Sequence, residues 1–141
     1  MKYQNDGQAW VMRLEKGEQL TVCLNELVRK ENIETAWLSG LGGAVWVDLG
    51  FYDLPSQTYH WQKFDEALEI TSLQGNIARD DKGEVALHLH GSFSRQDFSA
   101  IGGHVKDLEV AGTCELFVRT WQGEPLKRQY EESVGLSLLD L

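Results

Sequence analysis

The segment KGEQLTVCLNELVRKENI (residues 16–33) decides the fold class. Leu20, Cys23, Leu24, Leu27 and Val28 recur at i, i+3, i+4, i+7 and i+8, which draws one apolar stripe along a helix. Glu18 falls in its predicted first turn and Arg29 and Lys30 in its last, the order of charge that the helix dipole favours. No other segment carries this period. A lone helix with one stripe buries that stripe against a sheet, so the chain is expected to be α+β.

Outward from the helix, the chain reads as strands. AWVMRLE (9–15) alternates before it, and TAWLSGLGGAVWVDLGFYD (35–53) follows as strand, glycine break, strand. TYHWQKF (58–64) and ALEITSLQGNIA (67–78) are shorter strands, the second expected to break at Gly75. ARDDKGE (78–84) is a turn, and VALHLHGSF (85–93) alternates cleanly. SRQDFSAIGG (94–103) reads as a loop and TCELFVRTW (113–121) as a strand, with the QGEP turn (122–125) after it. LKRQ (126–129), the densest basic spot, reads as a solvated turn, and the apolar tail SVGLSLLDL (133–141) is expected to dock. The sum is a mainly antiparallel, strongly curved sheet with one main helix packed on it. With no linker, repeat or low-complexity stretch, residues 1–141 are expected to form one domain.

Composition narrows the functions. Hydrophobic residues make up 42% of the chain, enough for a core. The net charge of −9 opposes non-specific contact with phosphate backbones. Cys23 and Cys114 form no CxxC and read as buried small hydrophobes. With no signal peptide and no apolar run long enough to span a membrane, the expected compartment is the cytoplasm. Five tryptophans are more than a chain this short needs, and a surplus favours burial between subunits.

The chemistry gathers on histidine. In ALHLHGSF (86–93), Val85, Leu87, Leu89 and Phe93 point to one face while Ala86, His88, His90 and Ser92 point to the other. Two imidazoles roughly 7 Å apart along a strand can converge on one metal ion. His104, in IGGHV (101–105), can supply a third ligand, because Gly102 and Gly103 let the backbone pass close to a neighbouring strand. Three histidines with an open fourth position describe a catalytic-type zinc site, although other first-row metals also accept imidazole. The alternative is a polar strand face in contact with water. His60, among aromatics, reads as a packing residue.

Glu69 and Glu115, each flanked by apolar residues, face solvent or serve as outer partners to the histidines; Ser39 is a further pocket candidate beside Gly102 and Gly103. Ser92 and Ser94 lack a nucleophile-elbow context, and GLGGAV lacks dinucleotide-binding spacing.

MRLEKGEQL (12–20), WLSGLGGAVWVDLGFYD (37–53), LEITSLQGNIA (68–78), LHLHGSF (87–93), IGGHV (101–105) and GTCELFV (112–118), in this order, resemble the PPC domain, the plants-and-prokaryotes conserved domain. The resemblance runs from about Trp10 to Trp121. It implies a compact α+β domain that assembles as a homotrimer. It also implies that His88, His90 and His104 form a metal site, zinc or another divalent first-row metal, able to bind or act on a small molecule. A non-enzymatic regulatory or oligomerisation module is the alternative, and no residue selects a reaction. The family label also carries DNA binding. In plant members that activity resembles the work of an Arg-Gly-Arg-Pro hook, which this sequence lacks, and the charge of −9 argues against it.

Overall fold

The computed structural model describes residues 1–141. Nine strands and one helix follow in the order β1 (Lys2–Asn5), β2 (Ala9–Glu15), α1 (Leu20–Lys30), β3 (Ala36–Asp53), β4 (Thr58–Phe64), β5 (Leu68–Arg79), β6 (Val85–Ser94), β7 (Ala100–Thr120), β8 (Lys127–Glu131) and β9 (Leu136–Asp140). The helix buries the predicted stripe Leu20, Cys23, Leu24, Leu27 and Val28. It starts later than the charge pattern suggests. Gln19 is the N-cap, no acid lies in the first turn, and Glu18 sits outside, accepting from the Glu15 N–H at 2.8 Å and from the Met1 ammonium.

β3 and β7 organise the sheet. β3 pairs with β5 and then β4 along one edge, and with β7 along the other. β7 pairs with β6 and then β2 on its outer edge, and β6 pairs back to β5. The strands β3, β5, β6 and β7 therefore close a ring. A row of paired residues that leaves β3 at Ser39 crosses Gln74, His90 and His104 and returns to β3 at Gly50. Such an offset return requires steeply tilted strands, the geometry of a small barrel. All ladders within the ring are antiparallel; the sheet is mixed because β8 meets β5 through one parallel pair, Arg79–Lys127.

Inward residues fill the ring. Leu38, Leu73, Ile77, Leu89, Phe93, Val105, Leu116 and Val118 join the helix stripe in one apolar cluster. Burying side chains of this size supplies about 1.5–3 kcal/mol each, the main driving term for closure. Cys23 and Cys114 are free and buried in the same cluster.

Four local readings are corrected. β3 does not stop at its glycines; it continues through a bulge between Gly40 and Gly42. β5 does not break at Gly75, which pairs with Leu38 on one side and Leu89 on the other. Residues 100–103 are strand, not loop. LKRQ is not a solvated turn, because Lys127 opens β8, which forms a hairpin with β9, and Arg128 is buried. β1, pairing with β2, has no counterpart in the sequence reading. No helix is long and apolar enough to cross a membrane.

Candidate metal centre

His88 and His90 project from the face of β6 opposite the buried Leu89 and Phe93, so they stand on the outer wall of the barrel. His104 joins them because β6 and β7 pair His90 directly with His104. That pairing depends on close backbones. A Cβ on Gly102 would lie 2.7 Å from the Gly91 carbonyl oxygen, and one on Gly103 would lie 2.8 Å from that of Gly50. Both approaches are tighter than any larger residue tolerates.

The His90 ring meets the other two edge to face, while those of His88 and His104 stack on each other. Their centroids are 5.1 Å apart for His88–His90 and 5.3 Å for each pair with His104. One nitrogen from each ring lies within 4.8 Å of the others. A tetrahedral zinc bonded at about 2.1 Å holds its nitrogens about 3.4 Å apart, a difference that small ring rotations close. Nδ1 of His104 is buried and has no hydrogen-bond partner. A buried, unpartnered imidazole nitrogen beside two more imidazoles is the donor set that a divalent metal requires.

Electrostatics keep the set ready to ligate. Burial, reinforced by His88 and His90, pushes the His104 pKa down to about 4. Burial also lowers that of His88, with Arg128 and His90 adding to it. Neutral imidazole is the ligating form. An unfolded histidine titrates near 6.5, so between about 4 and 6.5 the unfolded chain binds more protons than the folded one. Stability therefore rises with pH in this window. Metal-free protein is expected to weaken as pH falls from 6.5 toward 4, and His104→Asn to weaken less steeply. Urea unfolding of both proteins at pH 7 and pH 5 checks this; parallel losses would contradict it.

Aromatic residues form one wall of the site. The Tyr59 ring lies 5.3 Å from that of His104, the Trp61 ring 5.8 Å, and the two stack on each other at 4.7 Å. The β8–β9 hairpin forms another. Arg128 donates from Nη2 to Oδ1 of Asn76 at 2.6 Å, and Asn76 is paired with His88. Tyr52 ties the hairpin turn to β3 by donating to the Val134 carbonyl at 2.7 Å.

The other sequence candidates lie elsewhere. Ser39 is exposed, opposite Gln74 and Phe117. Glu69 is exposed, opposite Ser94 and Gly43, and Glu115 is exposed, opposite Arg13 and Leu41. Neither carboxylate joins the histidine cluster. His60 is also outside it, exposed on β4. Sequence reasoning missed Asn76, Tyr59, Trp61 and Arg128. The alternation of Tyr59 and Trp61 was a usable signal, since it puts both rings on one face of a strand. Arg128 gave none.

The chain matches the Plants and Prokaryotes Conserved (PCC) domain over residues 1–122. Among solved structures, it resembles the metal-containing protein of Archaeoglobus fulgidus at 30% identity and a TM-score of 0.89, covering 100% of both chains. A plant- and prokaryote-conserved (PPC) protein of Pyrococcus horikoshii is 28% identical with a TM-score of 0.88, over 99% of this chain and 95% of that one. A protein of Bacteroides thetaiotaomicron, named as a candidate DNA-binding protein, is 27% identical with a TM-score of 0.93, over 99% of this chain and 96% of that one. No curated protein matches the chain.

Proposed function

The chain belongs to the Plants and Prokaryotes Conserved domain family, and on that footing we propose that it is a homotrimeric protein whose His88, His90 and His104 hold a divalent first-row metal, zinc foremost, as a binding site for a small molecule. The observation that carries this reading is the convergence of three imidazoles around the unpartnered Nδ1 of His104. The metal-containing relative from Archaeoglobus supports it.

Bound there, the metal supplies a Lewis-acid position for a ligand oxygen. The chain supplies the rest. Burial keeps the His104 and His88 imidazoles neutral, Gly102 and Gly103 hold β7 against its neighbours, and Tyr59 and Trp61 present an apolar wall to the ligand. His90 is exposed, which leaves a route from solvent. The free, buried cysteines suit a reducing compartment such as the cytoplasm.

The trimer reading draws on the outer face of β2, β7 and β3. Val11, Trp37, Leu41 and Phe117 stand there 59%, 44%, 57% and 46% exposed. Val11 and Ser39 both pair with Phe117, so these residues form one patch, and Ser39 leads through Gln74 to His90. Large exposed apolar patches mark association surfaces. Light scattering after size exclusion is expected to give three times the 16.0 kDa chain mass. Elemental analysis of the same sample, purified without added metal, is expected to find about one first-row ion per chain. A monomer free of metal even after zinc soaking would defeat the proposal.

DNA binding is a second reading, favoured by the Bacteroides relative and opposed by the net charge of −9. A true interaction would weaken steeply with salt.

A further inference from the structure

Arg128 differs from every other arginine in the chain. Arg13, Arg79 and Arg95 are each paired with a glutamate, while Arg29 and Arg119 face solvent. Arg128 is only 9% exposed, yet it takes part in no ion pair, in a chain with 22 acidic residues against 13 Lys and Arg. An arginine stays charged when buried, and a buried charge without a counter-charge is costly. Two neutral acceptors fix its orientation: Oδ1 of Asn76 at 2.6 Å and the Ser137 carbonyl at 3.0 Å. They use two of the five guanidinium N–H groups and neutralise none of the charge.

The location explains why such a group persists. Asn76 sits directly across from His88 on the same face of the sheet, so the guanidinium it holds lies beside the histidine cluster. The family match ends at residue 122, so Arg128 comes from a part of the chain outside it.

We propose that Arg128 is the anion-binding arm of the histidine site, and that the small molecule taken there carries an oxyanion, a carboxylate or a phosphate, held between the guanidinium and the metal position. This rests on the metal reading and specifies its ligand class. The planar fork of arginine matches the paired oxygens of a carboxylate or phosphate, which is the counter-charge this residue lacks.

The test uses cobalt(II)-loaded full-length protein, whose visible absorption bands report a new ligand near the ion. Acetate and inorganic phosphate are titrated separately against wild type, Arg128→Gln and Arg128→Lys. At least one anion is expected to bind wild type, and which one does so identifies the oxyanion. Arg128→Gln is expected to bind it about tenfold more weakly or worse, with cobalt content unchanged. Arg128→Lys keeps the charge but loses the fork, and is expected to fall between the two. It also serves if the glutamine variant unfolds. Wild-type anion affinity in both variants, or no binding of either anion to cobalt-loaded wild type, overturns the assignment and leaves the metal reading intact. Failure of wild type to take up cobalt overturns both.

Discussion

His104→Ala is expected to empty the metal position while leaving the barrel folded. Wild type should carry about one ion per chain. Loss of even an outer-shell partner costs roughly 10- to 100-fold in metal affinity, so loss of a ligand should cost at least about 100-fold. His88→Ala should do the same. The fold should tolerate the change because His104 stands on the outer wall of the ring, and its Nδ1 makes no hydrogen bond within the chain. Removing a buried, unpartnered polar atom from the metal-free protein does not weaken it. Elemental analysis together with thermal unfolding reads both effects. A His104→Ala protein that retains stoichiometric zinc would mean that the ion sits elsewhere.

The second large effect lies in the backbone. Gly42 ends the bulge in β3 with a φ of 151°, where side chains are rarely found. A Cβ there would run into the carbonyl oxygen of Thr113 and come within 2.7 Å of the Cα of Cys114. These are backbone atoms of β7, the partner strand over most of the ring, and they cannot rotate away. Gly42→Ala is expected to cost about 3–5 kcal/mol, by strain and by forcing β3 from β7. Gly112→Ala is the matched control. No atom lies within 4 Å of its added Cβ, so its effect should stay within about 0.5 kcal/mol. Urea unfolding of the two variants beside wild type makes the comparison; equal stability would contradict the close β3–β7 approach.

The features legible in the sequence were those whose cause is local. The helix stripe from Leu20 to Val28 and the alternation of Leu87, Leu89 and Phe93 against His88 and His90 each follow from one element's own period. β2 matches its alternating segment for the same reason. Features set by distant partners were misread. Gly75 looks like a break, but a side chain there would strike the His88 carbonyl, so glycine permits the strand rather than ending it. SRQDFSAIGG reads as a loop through Gly103 because the strands that crowd Gly102 and Gly103, β6 and β3, are far away in sequence, although the close backbone approach expected at these two glycines is there.

The histidine cluster was partly legible. The HxH spacing fixes a shared direction for two rings, but only the His90–His104 pairing in the ring of strands brings the third. Arg128 was hidden for a stronger reason. Nothing in LKRQYE marks a buried strand, and the Arg128 side chain is held by Asn76 of β5 and the Ser137 carbonyl of β9, both distant in the sequence pattern. Glu69 and Glu115 show the converse. Apolar neighbours on either side leave a solvent face and an outer-partner role both open, and only the pairing of the strands puts the two carboxylates on exposed positions of the outer wall.

The most direct measurement is an anomalous difference map, collected at the zinc absorption edge from crystals of protein purified without chelator and soaked in zinc. One peak per chain is expected, about 2.0–2.1 Å from a nitrogen of each of His88, His90 and His104. No peak at these residues, or a peak held by other side chains, would contradict it.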